Sequence, residues 1–462
     1  MSHPGPQPQL QQEHHDVVCV GFGLAAMSLG IALRESNSSA SVTFLEEEAQ
    51  SAWRPLGDLP GTVHMSSNFL YDMITLENPR SDFTFIRFLH GKKWLVDFTN
   101  LSSMQPPRVQ FEEYLKWCAK QFKDEVRHDT KILSIEPVYS GNKKINSWNV
   151  FSLNRATGQR HIHTAEKVVI CVDRQPYVPG ILAKPELKPA VIHSSRCMTR
   201  LNELTNPSAP HVRIAIVGQT QQAAELFDEL YDVRADRQVI WLVEDGSLQQ
   251  EAQTSMTASL VPSSTTVTDR VPPELRFPHQ STNKPSSKPI NKALLDRVYE
   301  TQYAQKVKEP DSTKWKFQIK FNQVVTGAEK TSSGQIHLTT RDVAMGGQYA
   351  GEFDLVIAAT GFVRSSTDTL LSSIISKRLL DGPSMTTDGD YAVNLRRGVL
   401  DPGVGLWCIG LIGEMETAVG EGSFKIMAER SARVARSITE AEMAKGKEDA
   451  NHNKSSTVQA QL

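Results

Sequence analysis

The chain predicts an α/β protein with parallel sheets flanked by helices, and three stretches carry that expectation. The apolar run Asp16-Val-Val-Cys-Val20 leads through a glycine turn into the helical pattern Leu24 to Arg34, then into the run Ser41 to Leu45. About 195 residues later the order returns: Arg213 to Val217, a turn at Gly218, the helical pattern Gln222 to Tyr231, and the run Gln238 to Val243. A third stretch, Glu352 to Phe362, is an apolar strand that ends in Ala359-Thr360-Gly361. Strand–helix–strand units in series imply parallel sheets. Two such units this far apart imply two nucleotide-type domains.

Composition narrows the class. At roughly 150 residues per domain the length has room for about three units. The 50 basic and 52 acidic side chains leave a net charge of −2, so no global field draws the chain to nucleic acid or to an anionic membrane. No stretch approaches the ~18 uninterrupted apolar residues of a membrane span. The first residues lack the basic patch and apolar run of a secretory signal, and the expected location is cytoplasmic. Five scattered cysteines with no CxxC pair predict neither a zinc site nor a disulfide framework. His161 and His163 alternate along a strand pattern and read as solvated positions, so no metal centre is expected. Residues 1–15, which include His14 and His15, read as a disordered arm, and 439–462 as a disordered tail. A stretch dense in Ser, Thr, Gln and Pro, about 247–288, reads as a polar insertion.

The segment Gly21-Phe-Gly23-Leu-Ala-Ala26 stands where a dinucleotide fingerprint belongs, after a strand and at a helix start. The first glycine makes the tight turn, and the second lets backbone amides approach a pyrophosphate. The helix N-terminus adds its partial positive charge. Ala26 takes the third glycine's place, where helix and strand pack closely. Glu46 lies 25 residues after Gly21 at the end of the second run, placed to accept ribose hydroxyls.

From Asp16 to about Phe122 the sequence resembles the fungal ornithine N-hydroxylases, siderophore-pathway members of the flavin N-hydroxylating monooxygenases. The carrying segments are Val17 to Gly23, Phe44-Leu-Glu46 with Trp53, Asn78 to Phe85, Leu89-His90, Asp97 to Ser102 and Arg108 to Cys118. Later matches are Ile192 to Ser195, Ala223 to Glu225, Tyr303 to Trp315 and Ala359 to Gly361. The last resembles the ATG motif of two-dinucleotide flavoproteins, where the chain returns from the NADPH domain to the FAD domain. The resemblance implies two interleaved Rossmann-like domains. An FAD-binding domain would comprise 16–205 and 351–438, and an NADPH-type domain 206–350. It further implies FAD held at Gly21, Gly23, Ala26, Glu46, Trp53, Thr360 and Gly361, reduction by NADPH, and hydroxylation of the terminal amine of ornithine. It leaves a homo-oligomer open.

Several departures bear on that chemistry. The second fingerprint reads Gly218-Gln-Thr220-Gln-Gln-Ala223, with Thr220 where a glycine is expected. A β-branched residue there obstructs the backbone's approach to a pyrophosphate. Family members follow the next strand with an Arg that grips the NADPH 2′-phosphate, whereas Glu244-Asp245 here would repel it. Glu244 could accept the hydroxyls of NADH, but the phosphate turn is still missing, so NADPH and NADH are both in doubt. The family's Gly-Gly-Thr segment before a Pro is replaced by Cys171-Val-Asp-Arg174-Gln-Pro. The Lys that follows the family's Pro-Gly and contacts the ornithine carboxylate is replaced by Val63-His64 after Pro60-Gly61. A titrating imidazole is at best a partial substitute for a permanent cation, which makes His64 the candidate substrate residue. Glu416 to Gly420 replaces a His-Gly-Leu-Ser-Asp stretch close to flavin and substrate. No catalytic residue is assigned.

The expectation is a FAD-dependent tailoring oxidoreductase of secondary metabolism whose small-molecule substrate is a larger amine-bearing natural product, which it oxygenates, rather than free ornithine. Two alternatives stand beside it. One is a nicotinamide-independent flavoprotein, whose flavin is reduced by the substrate itself or shapes a pocket for a non-redox cyclisation or rearrangement. The other is a catalytically silent paralogue.

Overall fold

Val17, Val18, Cys19 and Val20 are at most 1% exposed, as a central parallel strand covered on both faces requires. The computed structural model describes residues 11–459 except 37–39, 50–64, 66, 172–173, 198–199, 202, 204–210, 233–236, 251–289, 365–368, 383–384 and 410–421. The strand bearing those valines, Gln11–Val20, lies at the centre of a seven-stranded sheet. Val42–Leu45 and then Val126–Arg127 lie parallel on one side of it. On the other side runs Arg160–Ile170, also parallel. The first half of Arg160–Ile170 continues into an antiparallel meander with Ile145–Asn154 and Thr130–Tyr139, and its second half pairs parallel with Gly405–Cys408.

The second sheet has five strands, all parallel, in the order Phe317–Lys320, Arg237–Leu242, Val212–Val217, Leu355–Ala358, Val191–His193. A three-stranded antiparallel sheet, Gln323–Lys330 with Ile336–Asp342 and Gln348–Phe353, packs its Ile336, Leu338 and Phe353 against one face. The helix Gln221–Asp232 covers the other face with Phe227 and Leu230. The architecture is therefore the expected one: α/β, two interleaved domains of the Rossmann type. A two-stranded link, Arg174–Pro176 with Phe362–Arg364, joins the outgoing and returning chain. The domain boundaries sit differently from those expected. The chain enters the second sheet at Val191, before residue 206, and leaves it only after Ala358, beyond residue 351. Val191–His193 is three residues long, too short to show a periodicity.

Both ends depart from expectation. Residues 11–15, read as part of a disordered arm, form the first half of the central strand and pair with His161 to Ala165. Hydrogen bonds hold them in place of apolar burial, among them Gln12 Nε2 to Thr164 Oγ1 at 3.1 Å. His163 is 3% exposed, so it is a buried residue and not a solvated one. At the other end the helix Gly422–Gln459 runs through most of the expected tail. Ala428, Val434, Ala435 and Ile438 are buried, while Lys445 pairs with Glu166 and Glu442 lies 3.9 Å from Lys167. The expected insertion lies outside the described residues from 251 onward. No helix among the described residues is long and apolar enough to cross a membrane.

Candidate functional site

The first turn is built by three backbone constraints. Gly21 has φ 91°, a conformation that L side chains rarely adopt, and its N–H donates to Leu45 O at 2.8 Å. The Phe22 N–H donates to Glu46 Oε2 at 2.6 Å, and the Glu48 N–H to Glu46 Oε1 at 3.0 Å. Glu46 thus closes the loop between the two strand ends. A carboxylate offers about four acceptor sites, so its two backbone bonds leave lone pairs for ribose hydroxyls.

Gly23 then caps the helix Leu24–Glu35 without a side chain of its own. A methyl group placed on Gly23 meets no heavy atom of the described residues within 4 Å. Among the described residues the space beside this turn is open, and the first helical N–H groups have no side-chain cap, which leaves them available to an anion. These residues fit a dinucleotide pyrophosphate. Ala26 is fully buried under the turn. Gly30, one turn further on, belongs to no motif in the sequence, yet a methyl group there would lie 2.8 Å from Phe122 Cε1 and 2.9 Å from Phe44 Cζ. Its signal was the spacing within the apolar helix face, which does not reveal which partner crowds it.

The Ala-Thr-Gly turn is tied into the domain junction. Gly361 has φ 77°, and its carbonyl accepts from Tyr177 N at 3.0 Å and from His193 Nε2 at 2.8 Å. The hydroxyl of Thr360 donates to the Tyr177 carbonyl. Trp53 and His64 lie outside the described residues, as do Glu416 to Gly420.

The second turn is different in kind. Gly218, at φ 127°, presses against Ala359, whose carbonyl oxygen would be 2.3 Å from a methyl group. The Trp241 indole N–H donates to the Gly218 carbonyl at 2.6 Å. Thr220 donates its hydroxyl to Ala359 O at 2.9 Å and accepts from Ala223 N at 3.3 Å, so it caps its own helix. The side chain of Gln219 reaches across to the end of the next strand: its Nε2 donates to Asp245 Oδ2 at 2.6 Å and its Oε1 accepts from Asp245 N at 3.0 Å. Gln221 donates to Glu225 and accepts from Asn291 N, and Gln222 accepts from Ser194 Oγ at 2.8 Å. The glutamines that fill this motif have all found partners inside the protein. Asp245 makes this cross-strand contact, while Glu244 beside it is exposed.

Other nucleophile chemistry finds little here. All five cysteines are buried, and none forms a disulfide. Burial pushes the Cys118 thiol up and the Cys197 thiol up to about 12, and a hydrogen bond with Cys19 pushes up that of Cys171.

Known proteins resemble most of the chain. The family model described as L-lysine 6-monooxygenase/L-ornithine 5-monooxygenase matches residues 13–364. An L-ornithine N(5)-monooxygenase from Ajellomyces capsulatus is 32% identical over 431 residues, which cover 92% of this chain and 90% of that protein. An ornithine hydroxylase structure from Pseudomonas aeruginosa superposes with a TM-score of 0.78 at 24% identity, covering 93% and 99% of the two chains. The ornithine N-hydroxylase of a Kutzneria species, solved with reduced FAD, NADP⁺ and L-ornithine, gives 0.77 at 25% identity, covering 93% and 100%.

Proposed function

Because the chain belongs to the L-lysine 6-monooxygenase/L-ornithine 5-monooxygenase family, we propose that it is a FAD-dependent monooxygenase acting on an amine within a larger natural product. FAD, when bound, supplies the redox and oxygen chemistry. The protein's own part is to hold and orient it. Gly21 sets the turn, the open side of Gly23 takes the pyrophosphate over the helix start, and Glu46 receives ribose hydroxyls. Ala26 packs beneath the turn, and Thr360 and Gly361 are tied to Tyr177 and His193 where the chain returns from the second sheet. The observation that carries the reading is the open face of Gly23 next to a carboxylate already oriented by two backbone N–H groups.

The substrate half rests on charge. A free amino acid presents a carboxylate, which needs a cation or several donors once it is out of water. Val63-His64 offers no permanent cation at the position where the resembled family has Lys. A substrate whose carboxyl group is already in an amide or ester linkage has no such need.

A second reading is favoured by the pair Gln219–Asp245. With that turn satisfied internally, the flavin would be reduced by its substrate and not by a nicotinamide. Anaerobic spectroscopy separates the two. Bleaching of the flavin by NADPH or NADH, followed in air by hydroxylamine formation from an amide-capped ornithine and not from free ornithine, is expected on the first reading. Turnover of free ornithine at an equal rate would sink the substrate half. Bleaching by a candidate substrate alone would transfer the assignment to the second reading. A protein that takes up no flavin on reconstitution would refute both.

A further inference from the structure

We propose that Glu13, His15 and His163 form a binding site for one divalent transition-metal cation of the Zn²⁺ class, on the face of the first sheet and independent of the dinucleotide sites. Glu13 and His15 alternate along the central strand and so point to one face, and Glu13 lies directly across the parallel ladder from His163. Their ligand atoms converge. His15 Nε2 is 3.3 Å from His163 Nδ1 and 3.5 Å from Glu13 Oε2, and His163 Nδ1 is 3.9 Å from the same oxygen. The circle through these three atoms has a radius of about 2.1 Å, matching the ~2.0–2.2 Å bonds of Zn²⁺ to imidazole nitrogen and carboxylate oxygen.

The outer nitrogen of each ring is also held. His15 Nδ1 lies 3.0 Å from Thr43 Oγ1, and His163 Nε2 lies 3.1 Å from Ser152 Oγ. When those hydroxyls accept from the outer N–H groups, both inner nitrogens present lone pairs in place of the hydrogen bond that otherwise joins them. Two lone pairs and a carboxylate oxygen then face one point, an arrangement that a cation relieves. Two His and one carboxylate leave a fourth position for water, as in open zinc sites. The ligands come from segments 148 residues apart, which is why spacing in the sequence predicted no metal. A bound cation would pin the polar start of the central strand to Arg160–Ile170.

The test uses the full-length flavoprotein, stripped by a chelator, titrated with Co²⁺ in the visible range and with Zn²⁺ by calorimetry. One equivalent should bind with the absorbance of a tetrahedral nitrogen-ligated Co²⁺, and Zn²⁺ should raise the thermal midpoint. His15→Gln and Glu13→Gln should each weaken binding at least tenfold. The Glu13 side chain is 41% exposed, so its variant remains informative if His15→Gln fails to fold. The His161 ring, 6.2 Å from that of His163, lies outside the triangle, and His161→Gln should bind as the native protein does. Binding no tighter than about 1 mM, or tight binding that survives the Glu13 substitution, overturns the proposal. Neither readout depends on enzyme activity.

Discussion

The imidazole of His193 donates from Nε2 to the carbonyl of Gly361 at 2.8 Å, joining the last strand of the second sheet to the turn that leads back toward the first. A carbonyl can only accept, so the proton sits on Nε2, and Nδ1 is free to accept from Ser195 N at 3.2 Å. The bond accepted at Nδ1 requires a neutral ring, whereas the Nε2–H donation survives protonation. Burial lowers the His193 pKa most, the Gly361 carbonyl raises it, and Arg196 lowers it further, for a net depression below 6.5. A depressed histidine contributes stability that is complete above the unfolded value and is lost as pH falls through the folded one. The native protein should therefore lose thermal stability from about pH 6.5 downward, and His193→Gln should show a smaller loss over the same range. Equal pH slopes in the two proteins would contradict the assignment.

Gly23 offers a clean separation of folding from binding. A side chain there meets nothing among the described residues, and its φ of −85° suits any residue. Gly23→Val should leave the flavin-free protein within ~0.5 kcal/mol of native stability and reduce FAD affinity at least tenfold. Gly30→Val is its counterpart: the Phe44 and Phe122 rings are in the way, and overpacking should cost about 1–3 kcal/mol even without flavin. Unfolding of the apoproteins and flavin titration distinguish the two effects.

These two glycines also mark how far the sequence could be read. The strand–turn–helix units at Gly21 and Gly218 were legible because buried parallel strands are continuous apolar runs and the turn needs glycine. The expected run Gln238 to Val243 and the observed strand Arg237–Leu242 differ by one residue. Gln11 to His15 gave no such sign, since a strand end held by polar contacts has the composition of a loop. The helix from 439 to 459 was hidden for a related reason: it is polar and lacks an apolar stripe. Thr220 is legible in the sequence as foreign to a phosphate turn. Its partner in closing that turn, Gln219 with Asp245, depends on two loop ends meeting across adjacent strands, which no local pattern encodes.

Opening the second turn should therefore take more than one substitution. Thr220→Gly alone removes a helix cap, at about 1 kcal/mol, and leaves Gln219 in place. Gln219→Gly with Thr220→Gly should free the space near Gly218, and adding Asp245→Arg should supply the cation that a 2′-phosphate requires. The triple variant should be reduced by NADPH at least tenfold faster than the native protein in anaerobic stopped-flow measurements. If reduction by NADPH is already fast in the native protein and the variants slow it, the closed turn is not the obstacle inferred here.

The two domains are held in register by a buried ion pair. Arg108, at the start of the helix Arg108–Lys120, contacts both oxygens of Glu225 at 3.1 and 2.6 Å, and Glu225 is 1% exposed. Gln221 Nε2 adds a third bond to that carboxylate at 3.0 Å. Removing the guanidinium leaves a buried charge with an amide as its remaining described partner, so Arg108→Ala should destabilise the protein by about 3 kcal/mol. Glu225→Gln in that background neutralises the stranded charge and should recover at least half of the loss. The sign of the second step is the decisive quantity in a denaturant titration. If the pair served only as surface contact, the two substitutions would add. If it joins the domains as the geometry indicates, the double variant is more stable than Arg108→Ala alone.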